Sequence, residues 1–145
     1  MVADGSDPKL VAAILTAAKG VKADVAIVAP KVGGAITGDK LIAADLQLAG
    51  GASVLFDTVF VALSKAGAEE LSTEAAAVAW VHDAYAHCKV IGATADAKPL
   101  LDAAGVKPDA GVVSGADVKA FLTAAANGRE RTVPRDRGCT PSVIS

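Results

Sequence analysis

Apolar and polar positions alternate along the chain in blocks that predict helices and strands in succession. Leu10, Ile14 and Ala17 recur at helical spacing. They follow an Asp-Pro pair at 7–8, a typical helix start, so a first helix is predicted to end at Gly20. Buried strands are predicted over 24–29, 56–63, 90–93 and 111–113. Further helices are predicted over 66–71, from Ser72 or Thr73 to His87 or Cys88, and over 98–104 and 116–126.

A different pattern lies between residues 31 and 53, where glycine-rich turns surround two short apolar runs. The runs at 35–37 and 41–43 are separated by Gly-Asp-Lys, which predicts a small hairpin inserted in the alternating chain. Alternation of strand and helix elsewhere predicts an α/β fold, a doubly wound and mostly parallel sheet with helices on both faces. We assign residues 1–128 to this domain.

The turn after the predicted strand at 90–93 is the place where chemistry is expected. In parallel α/β sheets, ligands and nucleophiles lie where a strand ends and a helix begins. A nucleophile elbow carries Ser or Cys at its tip. The predicted tip here is Ala95, which has no nucleophilic atom, so the sequence argues against catalysis at this turn.

Composition and charge narrow the function classes. A formal net charge of -2 gives no general attraction to nucleic acid or to anionic membranes. No apolar run reaches the roughly 18 residues of a membrane span, and the first residues lack the pattern of a signal peptide. Two cysteines, Cys88 and Cys139, lie far apart in unlike contexts, which disfavours a disulfide framework and favours a cytoplasmic location.

The C-terminal tail differs in composition from the rest of the chain. All 4 arginines, Arg129, Arg131, Arg135 and Arg137, lie in residues 129–145, which show no apolar periodicity. We interpret these residues as a solvated extension; the alternative is an arm that docks on an acidic surface or on phosphates.

Other candidate site residues have a structural interpretation that we favour. Asp7 is either an acid for a neighbouring nucleophile or a helix N-cap. His82 and His87 are five apart on one predicted helix, which does not suit a metal pair, and no cysteine or carboxylate cluster completes a site. Cys88 is expected to be a buried small hydrophobe. The doublets 33–34 and 50–51 are predicted turn glycines, not a phosphate-binding loop.

Several stretches resemble one family, the C-terminal domain of the large-subunit haem catalases. They are VADGSD, VAPKVGGAITGD, SVLFDTVFVA, VAWVHDAYAHCKVIGATADAKPLLDAAGV and DAGVV. The resemblance implies a flavodoxin-like fold of the class I glutamine amidotransferase superfamily. By that resemblance, Ala95 stands where catalytic members have Cys, Asp96 where they have His, and Asp7 near their acid. It implies a degenerate site in which only the acid is kept.

The resemblance also indicates a departure at the amino end, since family members enter the domain through a full first strand. Here residues 1–3 alone precede the turn at 4–7. A truncated central strand is expected to leave a gap or unpaired edges, and hence low solubility or self-association.

By resemblance, the expected role is that of a non-catalytic domain that packs on a catalase core and contributes to oligomer stability. A related possibility is a chaperone-like activity of the free domain, because its high apolar content and the incomplete sheet would expose apolar surface to unfolded proteins. Haem and hydrogen peroxide chemistry are expected only in that separate core, with no cofactor in this chain. The alternatives are a stand-alone amidotransferase-like or peptidase-like hydrolase, using Cys88 or Thr94, and a module that binds a small ligand.

Overall fold

The computed structural model describes residues 1–31, 33–37, 40–48, 53, 56, 58–87, 89–107, 111–115 and 117–127. Within these residues the helices are α1 (Pro8–Gly20), α2 (Lys65–Leu71), α3 (Ala75–Ala86), α4 (Lys98–Ala103) and α5 (Val118–Asn127). The strands are β1 (Val28–Ala29), β2 (Ala35–Thr37), β3 (Lys40–Ile42), β4 (Leu46–Gln47), β5 (Thr58–Val61), β6 (Val90–Ala93) and β7 (Val112–Val113). The predicted alternation of strands and helices is confirmed, as is the hairpin, which β2 and β3 form as an antiparallel pair.

Residues 1–3, here called the N-terminal stub, join two parallel groups of strands. The β1 strand pairs with β4, and β5, β6 and β7 pair in that order. Between the groups, Val2 forms a parallel bridge to Ala62, and its N–H donates to Val28 O at 2.9 Å. The resulting order is β4, β1, stub, β5, β6, β7, the flavodoxin-like arrangement with the stub in the place of the first strand.

Helices cover both faces of this sheet. On one face, Phe60 and Ala62 pack with Val11 of α1 and Phe121 of α5. On the other, alternating residues of β5 pack against α2, α3 and α4 in a separate apolar cluster. The α3 residues Ala77, Trp80, Val81 and Ala84 are buried, as their predicted common face requires.

Three predicted elements have wrong bounds. The apolar runs at 24–29 and 56–63 form ladder pairs only over β1 and β5, which are shorter. Neither Ser72 nor Thr73 caps α3; their hydroxyls instead donate to the carbonyls of Glu69 and Glu70 at the end of α2. The α3 N-cap is Glu74, whose side chain makes no capping hydrogen bond. Ser72 and Thr73 therefore stabilise the end of α2, whereas the sequence pattern predicted that one of them would cap the start of α3.

Candidate functional site at the carboxyl edge of the sheet

The loops that follow the stub, β1, β5 and β6 begin at one edge of the sheet, because parallel strands have their carboxyl ends on the same side. These loops contain the turn at 4–7, Lys31, Ser64 and the turn at 94–97. This carboxyl edge is where the fold places ligand or catalytic groups when a protein of this architecture has them.

At the turn after β6, Thr94 is extended and the residues Ala95–Ala97 form a single 3₁₀ turn before α4. Ala95 and Asp96 are exposed there. The Thr94 hydroxyl donates to Leu63 O at 2.7 Å and accepts from Leu63 N at 3.3 Å. Thr94 therefore fastens the end of β6 to the end of β5, and its oxygen is occupied by both bonds.

In the turn at 4–7, the polar side chains of Ser6 and Asp7 also form hydrogen bonds with backbone groups. Asp7 caps α1 by accepting from Lys9 N at 2.9 Å, which confirms its N-cap interpretation. Ser6 is buried; its hydroxyl donates to Ala62 O at 2.5 Å and accepts from Ala3 N at 3.0 Å. Sequence reasoning missed Ser6, because its main partner lies 56 residues away in the chain.

An ion pair on this edge was also missed. The Asp4 carboxylate accepts from Lys31 Nζ at 2.7 Å and from Ile36 N at 2.9 Å, which links the turn at 4–7 to the hairpin. The hydrogen bond from Ile36 N, followed by that from Lys31, lowers the pKa of Asp4. The same bond to Asp4 raises the pKa of Lys31. Both side chains remain largely solvated, at 45% and 71% exposure, so the pair is expected to contribute little to stability.

Ser64 supplies the third hydroxyl of this edge and caps α2 by accepting from Gly67 N at 3.1 Å. It also lies close to Gly5, where an added Cβ would be 3.0 Å from Ser64 Oγ. Gly5 has a positive φ of 88°, which favours glycine there. The hydroxyls of Ser6, Ser64 and Thr94 thus all serve to position backbone, so none of these three is left unengaged beside the exposed carboxylates of this edge.

The remaining predicted residues divide into those described and those outside the described parts. The His82 ring nitrogen Nδ1 lies 3.1 Å from Ala104 O, and His87 is the residue that ends α3. Over the described residues, no group of three His, Cys, Asp or Glu side chains could hold a metal ion. Gly34, with a φ of 104°, donates from its N–H to Lys31 O, as expected for a turn glycine. Cys88, Cys139, the 50–51 doublet and the tail at 129–145 lie outside the described residues.

Membrane insertion has no candidate element in the described helices, since none of them is both long and apolar enough to cross a bilayer.

Comparison with known proteins relates the chain to catalases. A family model for the C-terminal domain found in long catalases matches residues 2–130. "Catalase C" of Rhizobium meliloti (strain 1021) is 41% identical over 129 residues, which cover 85% of this chain and 18% of that protein. "Catalase-1" of Neurospora crassa is 36% identical over 72 residues, covering 50% of this chain and 10% of that protein. The chain therefore spans less than a fifth of the length of these relatives.

A solved structure supports the fold assignment. A two-domain protein from Anabaena variabilis ATCC 29413, with DJ-1/ThiJ/PfpI-like and ferritin-like domains, superposes with a TM-score of 0.64 at 13% identity. The match covers 72% of this chain and 32% of that one. At this identity the likeness concerns the architecture alone.

Proposed function

Since this chain belongs to the family of C-terminal domains found in long catalases, we propose that it is a non-catalytic domain that packs against a haem catalase core and stabilises its oligomer. In this proposal the core, a separate part of the protein, holds the haem and decomposes hydrogen peroxide. The chain itself needs no cofactor, and it acts in the cytoplasm.

The observation that supports a non-catalytic role is the state of the carboxyl edge. Ala95 occupies the tip where a nucleophile would stand, and the Thr94 hydroxyl is held by both polar groups of Leu63. A hydrolase using Thr94 would have to break these two bonds and find a base. The geometry therefore favours a structural role over the hydrolase alternative.

The β2–β3 hairpin supplies a surface suited to packing on another polypeptide. Ile36 and Leu41 are register partners and are 57% and 65% exposed. Two apolar side chains that are cross-strand partners and both exposed form a surface that can pack on another polypeptide. Asp4 fixes the hairpin by accepting from Ile36 N, so this apolar pair is held in one position relative to the sheet.

The test is to mix the chain with a haem catalase core that lacks its own C-terminal domain. Size-exclusion chromatography with light scattering should detect a complex, and the core should retain peroxide decomposition longer on heating. The I36K/L41K variant should lose both effects, whereas V21K, at a position 61% exposed after α1, should keep them. Absence of a complex with the unmodified chain would contradict the proposal.

A chaperone-like role is a second candidate, favoured by the same exposed apolar pair and by an open apolar cavity lined by Val25 and Phe121. Such surfaces bind unfolded clients or a second copy of the chain. The chain should slow aggregation of a heated test enzyme at equal mass. An unaltered aggregation rate, together with a sharp monomeric unfolding transition, would count against both the chaperone-like role and self-association.

A further inference from the structure

The β2–β3 hairpin has two backbone edges, and the turn at 4–7 covers the edge on β2. Ile36 N donates to the Asp4 carboxylate at 2.9 Å, and Ile36 O accepts from Gly5 N at 2.9 Å. Both backbone polar groups of Ile36 are therefore bound on the side that faces away from β3. The edge on β3 lies on the opposite side of the hairpin.

Leu41 is the middle residue of the β3 edge and the register partner of Ile36. In an antiparallel pair, two opposite residues either exchange both hydrogen bonds or direct all four polar groups outward. Since Ile36 directs its groups outward, the N–H and C=O of Leu41 also point away from the hairpin. No hydrogen bond to another described residue engages these two groups. Leu41 is 65% exposed, so another strand can reach them.

This edge is complementary to itself. When two antiparallel strands meet about a two-fold axis at one residue, that residue stands opposite its own copy. Leu41 has its donor and its acceptor on the outer side, so it can exchange two hydrogen bonds with Leu41 of a second copy. The same register sets Lys40 opposite Ile42 of that copy, so two lysines do not stand opposite each other.

Such pairing also brings the exposed apolar side chains of two copies together. Ile36 and Leu41 are cross-strand partners, so their side chains lie on one face of the hairpin. In a sheet of four strands, Ile36 and Leu41 of one copy and the same two residues of the other form one row across that face, with neighbours about 5 Å apart. Each exposed Leu41 gains a leucine neighbour, and a two-stranded ribbon becomes a more stable four-stranded one.

A second copy suits this edge better than a free peptide. The β3 strand is already ordered by its pairing with β2, whereas a free peptide has to lose chain entropy to form a strand. The contact is small, because β3 has 3 residues and a stable dimer interface buries about 1,200–2,000 Å². It therefore suits copies that an oligomer already holds close together, where the effective concentration is high.

We propose that β3 pairs antiparallel with β3 of a second copy of the chain, with Leu41 opposite Leu41 on a two-fold axis. The pairing gives self-association of the chain a strand and a register. It uses the edge of the hairpin, whereas packing on a catalase core uses the face that carries Ile36 and Leu41. The two contacts are compatible, and either can fail without the other.

Disulfide trapping tests the register in a chain whose two cysteines, Cys88 and Cys139, are changed to serine. L41C places two cysteines opposite each other with Cα atoms about 5.5 Å apart, a distance that a disulfide spans. I36C is the matched control, because it is also exposed and its two copies would be three strand spacings, about 14 Å, apart. In a glutathione redox buffer, we expect the L41C dimer to form at least tenfold faster than the I36C dimer.

The other outcomes of this experiment would overturn the proposal. Equal trapping of the two variants would show contact between hairpin faces or random collision, since either of these links both positions. Absence of a dimer from L41C would show that the β3 edges do not meet. If such a chain still bound a catalase core, the proposed packing on the core would stand and the strand pairing alone would be wrong.

Discussion

Gly92 determines how closely two aromatic rings approach the sheet. Phe60 and Phe121 meet edge to face with ring centroids 5.0 Å apart. A Cβ added to Gly92 would lie 2.4 Å from Phe60 Cδ2 and 2.5 Å from Phe121 Cδ1. The missing side chain is therefore a packing requirement, since the rings occupy the space that any larger residue would need.

Gly92→Ala is expected to lower the free energy of unfolding by about 1–3 kcal/mol, the usual cost of overpacking a core. Urea unfolding followed by circular dichroism measures the loss. Gly20→Ala is the matched control, because nothing lies within 4 Å of its added Cβ, and it should be neutral or slightly stabilising. Equal stabilities of the two variants would contradict this packing argument.

A second prediction concerns the Thr94 hydroxyl, which forms hydrogen bonds with both backbone polar groups of Leu63. Thr94→Val keeps the shape but leaves both polar groups of Leu63 without the hydroxyl, so we expect a loss of about 1–3 kcal/mol in unfolding free energy. Thr94→Ser keeps the oxygen and should lose less. A Thr94→Val variant as stable as the unmodified chain would show that these two hydrogen bonds contribute nothing to the unfolding free energy.

For single side chains, the sequence predicted those roles whose hydrogen-bond partners are close in the sequence. The N-cap role of Asp7 could be found because its partner, Lys9 N, is two residues away. The roles of Ser6 and Asp4 could not, since their partners Ala62 O and Ile36 N are 56 and 32 residues away. Long-range hydrogen bonds leave no periodic signal in a sequence.

The bounds of the secondary structure elements follow the local sequence pattern, except where contacts with a neighbouring element determine where pairing begins. The apolar run at 24–29 predicted a full strand, yet ladder pairing begins only at Val28. Before it, Ile27 N donates to the Asp45 carboxylate at 2.7 Å, and Ile27 O accepts from Asp45 N and Leu46 N. The start of β1 thus depends on the residues at the beginning of β4, which lie 18 positions further along the chain.

The start of α3 offers a prediction at the same scale. Glu74 has the extended backbone of an N-cap but makes no capping bond, so Glu74→Asp, with a shorter carboxylate, should stabilise the chain by about 0.5–1 kcal/mol. Thermal unfolding measures the change. The same substitution inside α2, Glu70→Asp, should bring no gain. A stabilisation shared by both variants would point to a cause other than capping.

For the whole molecule, the position of the amino terminus is the least usual property. The Met1 amine is buried at the middle of the sheet, and desolvation lowers its pKa from 8.0 to about 5. The alternation of strands and helices, together with the family resemblance, led to the correct fold class, a flavodoxin-like parallel sheet with helices on both faces. The cavity size and the burial of the amine depend on three-dimensional packing and could not be predicted from the sequence.

This burial predicts a pH dependence of stability. Between pH 8 and pH 5 the unfolded chain binds a proton at Met1 that the folded chain excludes. The unfolding free energy should therefore fall by about 1.4 kcal/mol per pH unit as the pH decreases across this range, and level off below it. Urea titrations at several pH values measure the slope. The N-acetylated chain lacks the group, and an equal slope there would contradict the assignment.

The acylation rate of the Met1 amine also reports on local opening of the folded chain. Its lowered pKa leaves it deprotonated near neutral pH, when lysine amines are still charged, but its burial keeps acylating reagents away. An acylating reagent reaches the amine either through the cavity that Met1 lines or when the stub leaves its place between β1 and β5. The ratio of its labelling rate to that of a free peptide amine therefore measures how often the amine becomes accessible while the rest of the molecule remains folded.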